Sequence, residues 1–477
     1  MTNDFARLGV PATLVAALER RGITTPTPIQ AATLPDSMAG RDVLGRGRTG
    51  SGKTFAFLLP LVTRLAQSNT RRQPKRARSL ILAPTRELAT QIHESLGTLE
   101  GPAKLTSTVV FGGVGQTPQA RALAKGVDVL IACPGRLLDL MEQNLADLGG
   151  LEITVIDEAD HMADMGFLPS VRRILQATPR RGQRMLFSAT LDAGVSTLVK
   201  QFLTNPVTHE ADSAHSPVGT MSHHVLRIAG DHRTQVLAEL AAAPGNTIVF
   251  TRTKHGAKKL AKQLISLGVP AVDLHGNLSQ NARTRNLDAF HSGRVSTLVA
   301  TDIAARGIHV DDVALVVHAD PPVEHKAYLH RSGRTARAGA EGTVVTLELP
   351  SQRSDVQSLL RQAKIRPTFT NAAPGAGILT SIAPGERTFL SSSEAAELAG
   401  VVPRQPQGPG KPKAQASAGA GRPAAAPSSR GAGRRGRRSG SGQQAKGSTA
   451  GQPRSARNAA APTRSAADFS KGYRRGR

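Results

Sequence analysis

The chain of 477 residues has one cysteine, no tryptophan and two tyrosines. A lone Cys133 excludes an internal disulfide and a zinc site built from several thiolates, and fits a reducing, cytoplasmic compartment. No apolar run approaches the ~20 residues needed to span a bilayer. The opening MTNDFARLGV lacks the charged-then-apolar layout of a signal peptide, so no membrane is expected as a partner. So few aromatics disfavour a grip on single strands by base stacking and favour one on a backbone. Acidic residues are also scarce: 61 Lys and Arg face 35 Asp and Glu, for a net charge of +26. From Val401 onward there are 17 basic residues and one acid, Asp468, so the excess is concentrated at the end. Charge alone, a basic body with a more basic tail, points to a polyanionic partner: nucleic acid first, with an acidic membrane surface as the second choice that is set aside.

What is abundant is short β-branched runs, each followed by a turn and a helical pattern. They fall at 79–82, 108–111, 128–131, 153–156 and 185–187, then again at 247–250, 271–274, 297–300, 314–317 and 343–346. Near-continuous apolar strands spaced by helices predict buried parallel sheets, hence an α/β protein of two doubly wound domains. The expected boundaries are 1–209 for the first domain, 210–222 for a polar linker and 223–366 for the second domain. Residues 367–477 are expected to be mostly a disordered extension. From about 400 they are rich in Arg, Gly and Ala, too poor in apolar area to offset the entropy of ordering. A basic tail of this kind would extend contact with RNA electrostatically.

Three constellations carry chemistry. Gly47-Arg48-Thr49-Gly50-Ser51-Gly52-Lys53-Thr54 fits the phosphate-binding pattern G-x-x-x-x-G-K-S/T, between a strand end at Asp42-Val43-Leu44 and a helical stretch. Glycines let backbone N–H groups wrap phosphates, Lys53 would reach the β- and γ-phosphates, and the Thr54 hydroxyl would hold Mg²⁺. Asp157-Glu158-Ala159-Asp160 follows the strand at 153–156, placing Asp157 to hold the same Mg²⁺ and Glu158 to orient and deprotonate water. His330-Arg331-Ser332-Gly333-Arg334-Thr335-Ala336-Arg337 supplies Arg334 and Arg337 as cations for charge developing on a γ-phosphoryl group.

Together with companions in order, these residues resemble the DEAD-box ATP-dependent RNA helicases of superfamily 2, and point to a bacterial member. The companions are Phe5, the stretch Gly22–Gln30 (within a Q motif spanning 3–31), Pro84–Ala89, Gly112-Gly113, Pro134–Arg136 and Ser188–Thr190 in the first half. In the second they are Ile248–Thr253, His275-Gly276, Gln280-x-x-Arg283, Ala300–Asp302, Arg306-Gly307 and the His330–Arg337 run. The resemblance implies two tandem RecA-like domains that hydrolyse ATP with Mg²⁺ and locally unwind RNA. It implies that Phe5, Gln30, Gly47, Arg48, Thr49, Gly50, Ser51, Gly52, Lys53, Thr54, Asp157 and Glu158 bind the nucleotide, with Gln30 reading adenine. Glu158, Lys53, Arg334, Arg337 and His330 would be catalytic, and Asp160, Ser188 and Thr190 would couple nucleotide state to the second domain. RNA would touch Pro84, Thr85, Arg86, Gly112, Gly113 and Arg136 on one side and Gly276, Arg283 and Thr301 on the other, mainly through sugar and phosphate.

Departures from that pattern are Ile23 for an aromatic, Cys133 for a threonine, His161 for an arginine after the acidic run, and His309 for an aspartate expected at the ATP ribose. The alternative reading is an RNA clamp or annealing chaperone that ATP only times; a DNA helicase is a third. Protein partners and the RNA target are not legible in the residues.

Overall fold

The computed structural model describes residues 3–47, 50–211, 221–305, 308, 313–336 and 341–401. The first lobe is built on β1 (Val43–Arg46), β2 (Ser79–Leu82), β3 (Ser107–Val110), β4 (Val129–Ala132), β5 (Ile153–Ile156), β6 (Gln183–Ser188) and β7 (Val207–Glu210). They form one parallel sheet in the order β3-β4-β2-β5-β6-β1-β7. The second lobe is built on β8 (Met221–Arg227), β9 (Asn246–Phe250), β10 (Ala271–Leu274), β11 (Thr297–Ala300), β12 (Val313–His318), β13 (Gly342–Glu348) and β14 (Thr368–Asn371). Its order is β10-β11-β9-β12-β13-β8-β14, again parallel, so adding seven to each strand number maps the first sheet onto the second.

Central strands are apolar along their length because helices cover both faces, and successive side chains feed two separate cores. Ile81, Ile131, Val155 and Phe187 pack on one face of the first sheet; Leu80, Leu130, Ile156 and Leu186 pack on the other. Each such buried side chain contributes ~1.5–3 kcal/mol relative to exposure. Gly45 on β1 makes room for Phe187 on β6: a Cβ there would sit 2.5 Å from the ring. Phe187 in turn packs on Phe57, ring centroids 5.5 Å apart, from the helix Lys53–Gln67. That contact fixes the helix that starts at the phosphate-binding loop.

The ten apolar runs are all strands, shifted by a residue or two at most. The polar stretch expected to link the lobes is entered by strand at both ends, since β7 runs through Glu210 and β8 starts at Met221; residues 212–220 lie outside the described set. A clear correction concerns residues 367–401, assigned from sequence to a mostly disordered extension. They form β14 and the helices Gly377–Ile382 and Ser392–Leu398, with Leu379, Ile382 and Ala395 buried against the second lobe. Backbone hydrogen bonds tie them down: Thr388 N donates to Ala242 O (3.0 Å) and Leu390 N to Gly268 O (2.9 Å). Gly268 permits this approach, since a Cβ there would lie 2.2 Å from Leu390 O. The expected basic tail, residues 402–477, lies outside the described residues. Among the described residues no helix is long and apolar enough to cross a membrane.

Candidate functional site

In a parallel sheet the turns after adjacent strands open on the same edge, and strand order decides which turns meet. β5, β6 and β1 are neighbours, so Asp157–Asp160, Ser188–Thr190 and the glycine-rich loop converge. β3, β4 and β2 are neighbours on the other half of the edge, so Gly112-Gly113, Cys133–Arg136 and Pro84–Glu87 converge there. Residues expected to bind nucleotide and residues expected to bind RNA therefore occupy opposite halves of one edge.

The loop from Gly47 to Thr54 needs its glycines. Gly50 and Gly52 have φ of +87° and +91°, and a Cβ on Gly52 would meet Thr27 Oγ1 at 2.6 Å and Gln30 Nε2 at 2.8 Å. Gln30 is buried: Oε1 accepts from Thr27 N (2.9 Å), and Nε2 donates to Gly52 O (2.9 Å). The structure thus places Gln30 against the loop itself. Phe5 is also buried, within the first lobe's core. Lys53 Nζ donates to Gly47 O across the loop (2.8 Å). Ser51 and Thr54 are half-buried beside it, and Arg48 and Thr49 lie outside the described residues.

Asp157 is buried at the end of β5, and burial pushes its carboxyl up to about 7; Lys53 opposes that rise and Glu158 adds to it. A buried carboxylate, the Thr54 hydroxyl and a lysine beside a glycine cradle fit a nucleotide phosphate with a hard cation such as Mg²⁺. Glu158 adopts a left-handed backbone (φ 50°, ψ 53°), unusual for a residue with a side chain and a mark of a constrained turn. Burial works against its ionisation, but His161, Lys53 and Arg334 together hold the carboxyl well below the ordinary range. His161 Nδ1 lies 2.5 Å from Glu158 Oε2, both side chains buried.

Asp160, Ser188 and Thr190 are brought together. Asp160 Oδ2 accepts from Thr190 N (2.9 Å) and Oγ1 (3.0 Å), Asp160 N donates to Ser188 Oγ (3.2 Å), and Ser188 Oγ donates to Thr190 O (2.7 Å). Despite burial, Lys53, His330 and His161 keep Asp160 acidic. From the second lobe, His330 brings its ring to 5.7 Å from that of His161. Arg334, also buried, donates to Ile308 O (2.8 Å) and is close enough to act on the charge of Glu158. Arg331, between them, forks onto Asp302 (2.5 and 2.8 Å) and lies over Phe250, so it holds its own lobe together. Arg337 and His309 lie outside the described residues.

On the other half of the edge, Pro84 and Thr85 are buried, Thr85 capping the helix Arg86–Ala103 by accepting from Leu88 N (3.3 Å). Arg86 passes over Gly113, whose φ is +77° and whose Cβ would lie 2.1 Å from Arg86 Nη1, and donates to Gln280 Oε1 in the second lobe (2.7 Å). Arg283, expected to hold RNA, is committed instead to Glu87 Oε1 (2.5 Å) and Ala304 O (2.6 Å). Arg136 donates to Val114 O (3.3 Å), beside the exposed Gly113; Gly276 is exposed and Thr301 half-buried on the facing lobe. Cys133 packs on the first core, where burial and Glu87 push its thiol up to about 12, which disfavours the thiolate. Sequence reasoning missed Glu87 and Gln280 as bridges between lobes. The signal was present: Gln280 and Arg283, three apart, share one helix face.

Residues 27–198 match the DEAD/DEAH box helicase family model and residues 232–339 match the helicase conserved C-terminal domain. A Zea mays protein named DEAD-box ATP-dependent RNA helicase 3A, chloroplastic, is 40% identical over 365 residues, covering 75% of this chain and 49% of the relative. The ATP-dependent rRNA helicase rrp3 of Schizosaccharomyces pombe is 41% identical over 348 residues, covering 72% of this chain and 74% of the relative. Among solved structures, S. cerevisiae Dbp5 bound to RNA and ADP BeF3 has a TM-score of 0.70 at 28% identity, over 80% of this chain and 99% of that one. Both lobes thus have the tandem RecA-like fold. The chain spans about half the length of the Zea mays relative. These relatives are plant and fungal, and give no support to the expectation of a bacterial member.

Proposed function

We infer, from a chain that belongs to the DEAD-box family of RNA helicases, that its two lobes form an RNA-stimulated ATPase that locally unwinds RNA duplexes and remodels ribonucleoprotein. The observation that supports this most is the convergence of Lys53, Asp157 and Glu158 of one lobe with His330 and Arg334 of the other. A phosphoryl group held on the first lobe would meet its neutralising cations only when the lobes are together.

In this reading domain 1–209 holds ATP, with backbone N–H groups from Gly47 to Gly52 and the Lys53 ammonium on the phosphates. Gln30 would release Gly52 O to read adenine. Thr54 and Asp157 would hold Mg²⁺, which would supply positive charge to the phosphates. Glu158 orients the attacking water and takes its proton, while Arg334, joined by Arg337, balances charge on the departing phosphoryl group. Asp160, Ser188, Thr190 and His330 relay the state of that site to domain 223–366. RNA would run along the other half of the edge over Gly112, Gly113, Arg136, Gly276 and Thr301, with Pro84, Thr85, Arg86 and Arg283 shaping the track. Contacts there are to the backbone, so sequence would be read weakly. Binding one strand in a path that a duplex does not follow parts a few base pairs, and ATP and RNA assist each other's binding through one closed state. The fit to Dbp5 bound to RNA and ADP BeF3 supports this arrangement of lobes. The basic tail would lengthen the RNA contact, and a single buried thiol suits a cytoplasmic setting.

Phosphate release by the wild type and by Glu158→Gln, with and without RNA, tests the reading. The wild type is expected to be stimulated strongly by RNA, and the variant to lose ~10²–10⁴-fold in rate while still gripping RNA with ATP. Wild-type hydrolysis at full rate without RNA would overturn it. RNA remodelling that survives Glu158→Gln would favour a clamp or annealing chaperone.

A further inference from the structure

The residue after the acidic run, His161, is the departure whose surroundings say most. It sits on the short helix Ala159–Asp164, three residues past Glu158, with 5% of its surface exposed. The left-handed turn at Glu158 sends that side chain back over the helix, where Nδ1 of His161 meets Oε2 at 2.5 Å. The opposite ring nitrogen, Nε2, is buried and has no hydrogen-bond partner among the described residues. The ring faces His330 of the other lobe at 5.7 Å and 60°. A buried imidazole with one nitrogen spent on a carboxylate and the other on no described side chain or backbone group is poorly explained by packing, because burying a polar ring costs free energy that an apolar side chain would avoid.

We propose that His161 is a positioning residue for hydrolysis: its Nδ1–H holds one oxygen of Glu158, so that the other oxygen is presented to the attacking water. This rests on the functional reading above and adds a residue to it. A glutamate has three rotatable bonds, and a base displaced by even an ångström loses much of its effect. The short contact removes that freedom on one side, and the His330 ring, 5.7 Å from that of His161, backs the imidazole when the lobes are together. Donation from Nδ1 also keeps Glu158 an acceptor, the form in which it takes a proton.

Single-turnover ATP hydrolysis with saturating RNA tests this in three forms of the full chain. His161→Phe keeps the ring volume and removes the donor; His161→Asn retains an N–H near the place of Nδ1. The expected result is a ten- to hundredfold lower hydrolysis rate for His161→Phe, with half-saturation by ATP and by RNA within about twofold of wild type. His161→Asn should recover most of the rate. Thermal melting of each variant identifies loss of fold, and if the phenylalanine form melts early, the asparagine form against wild type carries the comparison. His161→Phe hydrolysing within twofold of an active wild type overturns the inference alone, as does a folded His161→Asn as slow as His161→Phe. A wild type with no RNA-stimulated hydrolysis overturns the functional reading first.

Discussion

The pair Glu87–Arg283 joins the lobes across 196 residues of chain, and cutting it should weaken closure while leaving each lobe folded. Arg283 Nε lies 2.5 Å from Glu87 Oε1, with side chains 12% and 10% exposed, so the pair is largely shielded from water and salt. Gln280 adds a longer contact to the same oxygen (3.4 Å) and accepts from Arg86 (2.7 Å), making a four-residue seam. Removing one member of a buried pair costs ~3–5 kcal/mol because the survivor is left uncompensated. Here the survivor is rehydrated when the lobes part, so the cost falls on the closing step. A coupling of about 2 kcal/mol, mid-range for residues in contact, would lower the closed population ~30-fold wherever closure is not saturated. The assay is a double-mutant cycle, Glu87→Gln, Arg283→Gln and both together, with dyes on each lobe reporting closure as RNA is titrated at fixed ATP. Each single variant should need far more RNA to close, and the double should be little worse than either. Additive single effects within ~0.4 kcal/mol would refute the reasoning, as would melting temperatures that fall in step with the loss of closure.

Gly113→Ala should raise the RNA concentration for half-maximal ATPase severalfold without changing half-saturation by ATP. The added Cβ would collide with Arg86 at 2.1 Å in a backbone of positive φ, which itself costs ~1–2 kcal/mol. Gly112→Ala, where the nearest atom of Arg86 is 3.9 Å away and the backbone is not left-handed, should have the smaller effect of the two. Stability of the second lobe should fall below pH 6.5. Burial holds His318 well below its usual 6.5 and His223 down to about 4, so the unfolded chain binds protons that the fold refuses. Each such group removes ~1.4 kcal/mol per pH unit from 6.5 down to its folded value. Replacing His318 by Asn should flatten denaturant midpoints measured from pH 7 to 5, and an unchanged slope would count against it.

The two sheets were legible because buried parallel strands are apolar at every position, a pattern that Leu80-Ile81-Leu82 and Thr297–Ala300 display without help from elsewhere. Three strands were missed: β7 and β14 are half-exposed edges such as Val207-Thr208-His209-Glu210, whose residues read as loop, and β8 opens on the polar Ser222-His223-His224. Residues 367–400 escaped for a related reason. They donate apolar side chains singly, Leu379 and Ile382 to one core of the second lobe and Ala395 to the other, and so carry no period. Around the site, strand-end motifs placed Lys53 and Asp157 on one edge, and the family resemblance added Asp160, Ser188 and Thr190. What spacing does not convey is commitment: Phe5 is spent on the core, Gln30 on Gly52, and Arg283 on a carboxylate far away in sequence. Those are facts of three-dimensional neighbours.

The seven-strand correspondence between the lobes has a consequence for stoichiometry. β1 is followed by a cradle ending in Gly52-Lys53-Thr54, whereas its counterpart β8 runs on through Ile228-Ala229-Gly230-Asp231-His232 into the next helix. On the proposed function, one member of the duplicated pair would receive the fuel, and its twin would serve as an anvil. Such a chain should consume one triphosphate per stroke, and equilibrium dialysis with labelled nucleotide should saturate at one equivalent.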